Sequence, residues 1–368
     1  MAKSRLHELA ARGQSIWFDT LSRPLIESGE LKKMMAEDAV TGVTSNPSIF
    51  QKALAEGDAY DEQMKELLRS SDDPSEIFFG LALEDIRNAC DVLRPAFDAS
   101  DGEDGYVSME VEPGIAYDTE KTFEQARWIA KEVDRANLFV KIPATMAGLP
   151  AIEECTAKGT AINITLIFSL DRYKAVVEAY IRGLERLVAS GGDPTKVASV
   201  ASFFVSRVDT EADKRLAALG KAELQGKLAI ANAKLAYQHY LEAFSGPRWE
   251  FLAGKGARKQ RCLWASTSTK NPDYRDVIYV EELVGPDTVN TMPLETIVAF
   301  QDHGEVRGDT VLEGIADAEA LLAALRDAGV DYDDVVETLE AEGVQKFSDA
   351  FAEITDSIRA KRGVLAAA

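Results

Sequence analysis

The chain has 368 residues, of which 46% are hydrophobic, and its 62 acidic against 41 basic residues give a formal net charge of -21. Such a chain can bury a large core in one or two domains, and its negative charge argues against nucleic acid or an anionic membrane as a partner. An anionic substrate would need a local basic pocket.

Cysteine and histidine are few and scattered. The three cysteines are not at metal-ligand spacing, and their odd number predicts reduced thiols in the cytoplasm. The three histidines lie far apart in sequence, which argues against a histidine metal centre or a Ser-His-Asp triad. The first residues are charged, and no apolar run approaches the length of a membrane span, so we expect a soluble cytoplasmic protein.

Short apolar runs rich in β-branched residues alternate with amphipathic stretches along the chain. The predicted strands lie near 15–19, 40–45, 106–112, 138–143, 161–168, 197–204, 262–266 and 288–292. The predicted helices cover 31–37, 58–69, 74–93, 119–133, 170–189, 209–244 with a break, and 276–283. Strand followed by helix, repeated about eight times, is typical of a parallel (β/α)8 TIM barrel. A doubly wound sheet is the alternative, but no Gly-x-Gly-x-x-Gly motif follows these strands.

The chain is longer than a minimal barrel, which takes roughly 250 residues. We assign the extra length to an amino-terminal helix, a helical insert between the second and third strands, and a carboxy-terminal helical tail over about 311–362. Gly329 and Gly343 are candidate helix boundaries in that tail. Since the sequence has no repeat and no low-complexity linker, we predict one domain over residues 1–368.

Two runs of charge precede strands, one acidic at 98–104 and one basic at 255–261. In a barrel, the loops before strands lie at the end opposite the active site. We therefore predict that both runs are solvated surface and that neither belongs to a substrate site.

Lys141 lies inside an apolar, strand-like run. Alternate side chains of a strand point to opposite faces, so Phe139 and Lys141 share one face and carry an amine into an interior. Burial disfavours the charged form of a lysine, and the neutral amine is the nucleophile that forms Schiff bases with carbonyls. Alternatively, a lysine at a strand end can extend to water.

Other strands carry residues that, by the same alternation, can point to the interior that Lys141 faces. They are Asp19, Glu110, Asn163, Thr165 and Ser202, with Phe204 on the face of Ser202 and Arg207 just after that strand. Asn46 follows the second strand, where it can also cap the helix that begins at Pro47. Asp19 and Glu110 could instead form salt bridges, and Asn163 and Thr165 could bond to each other. One shared cavity explains them together, so we predict a polar pocket around the amine.

Several segments carry a specific resemblance to a known family. TGVTSNPSIF at 41–50 and FVKIPAT at 139–145 resemble the two signature motifs of the transaldolase family. The likeness extends, in order, through WFDT at 17–20, SMEV at 108–111, NITLIFS at 163–169 and SFFVSR at 202–207. It covers nearly the whole chain, and the length resembles the longer bacterial form of the family.

This resemblance implies the transaldolase step of the pentose phosphate pathway, in which a dihydroxyacetone unit passes from a ketose phosphate to an aldose phosphate. The implied donors are sedoheptulose 7-phosphate or fructose 6-phosphate, and the implied acceptors are glyceraldehyde 3-phosphate or erythrose 4-phosphate. By position, Lys141 would be the Schiff-base nucleophile and Asp19 the acid/base, while Glu110 and Thr165 would position a water. The implied substrate-binding residues are Asn46, Asn163, Ser202, Phe204, Arg207, Ser266 and Lys270. Neither metal nor cofactor is implied.

The segment after the seventh strand departs from the family pattern. It is WASTSTKN at 264–271, whereas the commoner pattern is a shorter Ser-x-Arg-Asn. Lys270 could replace that arginine and Ser266 could keep its place, but a lysine lacks the bidentate fork of arginine. Lys270 could equally be an ordinary surface lysine.

Three other functions are open. A class I aldolase would release free dihydroxyacetone, which product assays with and without an acceptor would detect. A pyridoxal phosphate enzyme also forms an imine on a lysine, and its visible absorbance would reveal the cofactor. A non-catalytic sugar-phosphate-binding barrel is disfavoured by the joint presence of Lys141, Asp19 and Glu110. We expect sugar phosphates as partners and a monomer or homodimer.

Overall fold

The computed structural model describes residues 4–55 and 57–365, and its centre is a closed barrel of eight strands. Each strand runs parallel to its sequence neighbours, and the last pairs with the first over Gln14 to Phe18. The predicted (β/α)8 barrel is therefore confirmed. The strands are β1 (Gln14–Phe18), β2 (Val40–Val43), β3 (Val107–Glu110), β4 (Leu138–Pro143), β5 (Ile162–Ile167), β6 (Ser199–Phe204), β7 (Gln260–Ala265) and β8 (Thr288–Met292).

Helices surround the barrel and extend it at both ends of the chain. They are α1 (Arg5–Ala11), α2 (Arg23–Glu27), α3 (Glu30–Glu37), α4 (Pro47–Ala55), α5 (Asp61–Leu67), α6 (Pro74–Ala99), α7 (Thr119–Val133), α8 (Gly148–Ala157), α9 (Leu170–Ala189), α10 (Ser206–Ala218), α11 (Leu228–Ala243), α12 (Gly246–Ala253), α13 (Ile278–Glu281), α14 (Leu294–His303), α15 (Ile315–Asp327) and α16 (Tyr332–Leu365). None of these helices is both long and apolar enough to cross a membrane.

The sequence patterns did not predict every helix. α8 begins with Gly148 and has Pro150 in its first turn, residues that usually indicate a loop. Gly148 is needed there because a Cβ atom would lie 2.2 Å from the carbonyl oxygen of Pro143. In the tail, the predicted boundary near Gly329 is correct, whereas the one at Gly343 is wrong because α16 continues through it.

Aromatic side chains close the barrel below Lys141. The rings of Tyr106 and Phe139 stack with their centroids 3.9 Å apart, and the ring of Trp17 lies 6.0 Å from that of Phe139. All three are buried. Trp17 also donates a 2.8 Å hydrogen bond to Asp104, so the indole is fixed in both position and orientation. These residues form the floor of the barrel.

The two charged runs meet outside this floor. Arg258 forms an ion pair with Glu103, and Arg261 donates to the carbonyl oxygen of Glu103 over 2.7 Å. The Arg261 side chain is only 12% exposed and also binds Ser15 at 2.8 Å. The prediction of solvated surface is thus wrong for these arginines, because opposite charges pair there and their stems pack against the end of the barrel.

The fold makes one prediction about stability. A Cβ atom at Gly42 would lie 2.5 Å from the indole of Trp17, so Gly42→Ala must displace the ring that closes the floor. We expect a loss of about 1–3 kcal/mol in the free energy of unfolding, as for other overpacked cores, measured by urea denaturation. Gly114→Ala is the matched control, because its nearest neighbour would be 3.5 Å away. Equal losses in the two variants would contradict this role of Gly42.

Candidate active site

Lys141 lies in the middle of the barrel, in register with Glu110 on β3 and Asn163 on β5. It is 5% exposed, so its amine points into the barrel and not out to water. Its Nζ donates a 3.0 Å hydrogen bond to the carbonyl oxygen of Ser45 and lies 3.4 Å from Oε2 of Glu110. The amine is therefore held between the carboxyl ends of β2 and β3.

A cavity of about 240 Å³ opens above this amine, at the carboxyl ends of the strands. Among the predicted site residues, those that line it are Asp19, Asn46, Lys141, Thr165, Ser202, Phe204, Arg207, Ser266 and Lys270. Glu110 and Asn163 are not among the lining residues. Glu110 contacts the amine of Lys141, and Asn163 is hydrogen-bonded to Ser108 inside the barrel. The structure thus brings residues from β1 through β7 to one place.

Asp19 is held by a short chain of hydroxyl groups. The Thr44 hydroxyl donates to Oδ1 of Asp19 over 2.6 Å and lies 2.6 Å from the hydroxyl of Thr291. A hydroxyl has a single proton, so Thr291 must be the donor in the second contact. Burial raises the pKa of Asp19, while the hydrogen bond from Thr44 and the charges of Lys141 and Arg207 oppose that rise.

Glu110 and Thr165 each carry a buried oxygen atom that has no hydrogen-bond partner among the described residues. Burial raises the pKa of Glu110, although the neighbouring Lys141 lowers it. The buried Thr165 hydroxyl has no hydrogen-bond partner within residues 4–55 and 57–365. The register of β5 shifts between Ile164 and Ile167, and Leu166 there has a φ of 59°. Thr165 itself is in regular register with β4, two residues after Asn163, so alternation along the strand turns it toward the cavity.

The side chains of Asn163 and Asn46 differ in how many of their hydrogen bonds are already made within the protein. Asn163 donates to Ser108 over 3.0 Å and accepts from Ser202 over 2.7 Å, so its hydrogen bonds are already made inside the barrel. Asn46 accepts from the backbone amide of Ile49 over 3.1 Å. That carbonyl oxygen caps α4, but the side-chain NH2 group remains for the cavity. The two roles weighed for Asn46, helix cap and ligand, are therefore compatible.

Two cations lie at the mouth of the cavity. Arg207 makes neither a hydrogen bond nor an ion pair with any other described residue, and its guanidinium lies 5.0 Å from the centre of the Phe204 ring. Burial lowers the pKa of Arg207, yet arginine stays charged in proteins. Lys270 is exposed on the rim and donates to Ser268 over 2.7 Å. A partly buried, unpaired guanidinium is a strong candidate for an anion ligand.

A larger cavity, of about 600 Å³, lies at the opposite end of the barrel. Its arginines already have partners: Arg127 donates to Thr160 over 2.9 Å, and Arg135 pairs with Asp91 over 2.6 Å. It contains neither a buried amine nor an unpaired guanidinium among the described residues. The chemistry therefore favours the smaller cavity around Lys141.

The sequence patterns missed several residues that line the smaller cavity. These are Thr44, Thr291, Glu295 and Phe347. Alternation along β2 and β8 could have indicated the two threonines, since each faces the side of its strand that looks inward. Phe347 gave no local signal, because it lies on α16 and its place depends on how that helix packs.

Comparison with known proteins gives a consistent result. The sequence model of the family described as transaldolase/fructose-6-phosphate aldolase matches residues 16–358. The chain is 54% identical to a transaldolase of Parafrankia sp. (strain EAN1pec), over 97% of this chain and 98% of that protein. It is 52% identical to the transaldolase of Frankia alni, over 97% of each chain, and 50% identical to that of Mycobacterium ulcerans, over 99% of each.

The unpaired guanidinium of Arg207 predicts that the protein binds anions, and this can be tested without an activity assay. Inorganic phosphate should raise the Tm of the wild-type protein, because a ligand that binds only the folded state stabilises it by about 2.7 kcal/mol at 100 times its Kd. Arg207→Gln should lose this shift at matched ionic strength in a thermal-shift assay. Arg359→Gln, which removes an exposed arginine paired with Asp356, is the control and should keep it. An undiminished shift in Arg207→Gln would rule this residue out as the anion ligand.

Proposed function

The chain belongs to the transaldolase/fructose-6-phosphate aldolase family, and we propose that it is a transferase that moves a dihydroxyacetone unit from a ketose phosphate to an aldose phosphate. The observation that carries this proposal is the buried amine of Lys141 with Glu110 beside it and Asp19 in the same cavity. The substrates we assign are those of the transaldolase step in the pentose phosphate pathway. We place the enzyme in the cytoplasm, where its buried free cysteines stay reduced.

The first step is condensation of the amine with the ketone. Lys141 must lose a proton before it attacks, and Glu110, whose Oε2 lies 3.4 Å from Nζ, is close enough to accept it. The resulting carbinolamine then loses its hydroxyl group as water, with Glu110 returning the proton. The raised pKa of Glu110 suits it to act as both base and acid. The free hydroxyl of Thr165 is suited to hold the water molecule that relays these protons.

The second step is cleavage of the bond between C3 and C4 of the ketose. In our proposal Asp19 removes the proton of the C4 hydroxyl, the bond breaks, and its electrons pass to the protonated imine. The aldose leaves, and an enamine remains bound to Lys141. The acceptor aldehyde then reacts with this carbon, and Asp19 returns the proton to the new hydroxyl. Water finally releases the product ketose from the amine.

The cations at the mouth would fix the phosphate end of each sugar. Arg207 lacks a partner within the described chain, so it can bind phosphate without breaking another interaction. We assign Lys270 and Ser266 to the same phosphate group, with Lys270 as a point charge in place of the family arginine. Asn46, Ser202 and Phe204 would contact the carbon chain between this phosphate and the amine.

Trapping should identify the nucleophile. Borohydride added with fructose 6-phosphate should reduce the imine and leave a sugar-derived mass on Lys141, located by peptide mass spectrometry. Lys141→Arg should give no adduct and no transfer. Lys234→Arg is the control, since Lys234 is also buried but pairs with Glu282 outside the cavity. An adduct on another lysine while transfer proceeds would refute the assignment of Lys141.

Thr291→Val tests whether Asp19 acts as the base. The variant removes the donor that holds Thr44, and hence weakens the hydrogen bond that keeps the pKa of Asp19 down. Because the base must be ionised, activity is lost as the pH falls through this pKa, so the acidic limb of the pH–rate profile should move to higher pH. We expect kcat to fall only on the acidic side of the profile, where more of Asp19 is protonated, and by no more than about tenfold, since one hydrogen bond is worth about 1 kcal/mol. Thr291→Ser should restore the wild-type profile, and an unmoved limb in the valine variant would contradict the hydroxyl chain.

A further inference from the structure

Phe347 reaches the candidate active site from outside the barrel. It lies on α16, in the tail whose purpose the sequence does not reveal, and it is 6% exposed. Its side chain lines the cavity that contains Lys141, Asp19 and Arg207. An apolar ring at this place makes no hydrogen bond to a sugar, so its role needs another explanation.

The segment of α16 before Phe347 is fixed to the catalytic strands. Glu340 pairs with Arg172 over 2.8 Å, and Arg172 also donates to the carbonyl oxygen of Ala144, just after β4. One turn further, a Cβ atom at Gly343 would lie 2.9 Å from the side chain of Leu166, the residue at the β5 bulge. The glycine thus allows the helix to approach the barrel closely enough for Phe347 to reach the cavity.

The segment after Phe347 is fixed as well. Phe351 packs edge to face on Phe78 of α6, with ring centroids 5.3 Å apart. Near the end of the helix, Lys361 forms a 2.6 Å ion pair with Asp61 of α5. Attachments on both sides of Phe347 indicate that the helix holds the ring in place as a constant part of the cavity.

We propose that Phe347 excludes water from the enamine carbon and thereby makes the enzyme a transferase and not an aldolase that releases dihydroxyacetone. This inference rests on the proposed function. The enamine has two fates after the first aldose leaves. Its carbon can bond to an acceptor aldehyde, or it can take a proton, after which water adds to the imine and releases dihydroxyacetone and the free amine.

Protonation of the carbon needs a route for the proton. Asp19 carries the proton taken from the C4 hydroxyl, and a water chain in the cavity could relay it from Asp19 to the carbon. A water site requires several polar partners, and the phenyl ring of Phe347 offers none on the part of the cavity surface that it forms. The ring of Phe347 therefore slows protonation of the enamine carbon. The carbon then reacts preferentially with the acceptor aldehyde.

Phe347→Ala should shift the product ratio. Dihydroxyacetone released from fructose 6-phosphate is measured against the sedoheptulose 7-phosphate formed with erythrose 4-phosphate present. We expect this ratio to rise about tenfold, the effect of a barrier change near 1.4 kcal/mol. Phe347→Leu keeps much of the apolar volume and should give an intermediate ratio, which tests the proposal even if the alanine variant does not fold.

Ile358→Ala is the matched control for helix stability. Ile358 is 1% exposed on the same helix but does not line the cavity, so its truncation should lower the Tm and leave the ratio unchanged. An unchanged ratio in both Phe347 variants, or an equal rise in Ile358→Ala, would overturn the role of Phe347. Failure of the proposed function itself would look different, since the wild-type protein would then show neither transfer nor an adduct on Lys141.

Discussion

The contact between the Lys141 amine and the Glu110 carboxylate is the interaction on which the rest of this structure depends. Two opposite charges inside a protein offset the cost of leaving water only when they pair closely. Here the pair lies 3.4 Å apart, and the carbonyl oxygen of Ser45 takes a further proton of the amine. These groups come from β2, β3 and β4, so the pair exists only when the barrel is closed. The barrel must therefore close before Lys141, Glu110 and Ser45 can come into contact.

The chain as a whole is negatively charged, whereas the mouth of the candidate cavity carries two positive side chains. The protein carries a formal charge of -21, which repels phosphorylated sugars at long range. Arg207 and Lys270 counter this repulsion at the mouth, where phosphate would bind. Nearer the amine, burial raises the pKa values of Asp19 and Glu110, which suits the proton transfers that we propose for them. In the proposed function, phosphate binding at the mouth and proton transfer near the amine are thus separate.

Much of the site could be predicted from the sequence, because alternation along a strand determines which side chains face the interior. Alternation predicts that Asp19, Lys141 and Thr165 share one cavity, and all three line it. Contacts that depend on helix packing could not be predicted in the same way. Gly343 indicated a helix end by its residue type, yet it serves close packing on Leu166. Phe347 has no neighbours in sequence that distinguish it from any other buried position of a long amphipathic helix.

The aromatic floor has a consequence for the order of events. Trp17, Tyr106 and Phe139 pack together in the barrel below Lys141, and the candidate cavity lies at the carboxyl ends of the strands above it. In the proposed reaction the outgoing aldose leaves through the same opening by which the acceptor enters. In the proposed mechanism the dihydroxyacetone unit stays bound to Lys141 between the two half-reactions, and we therefore expect ping-pong kinetics.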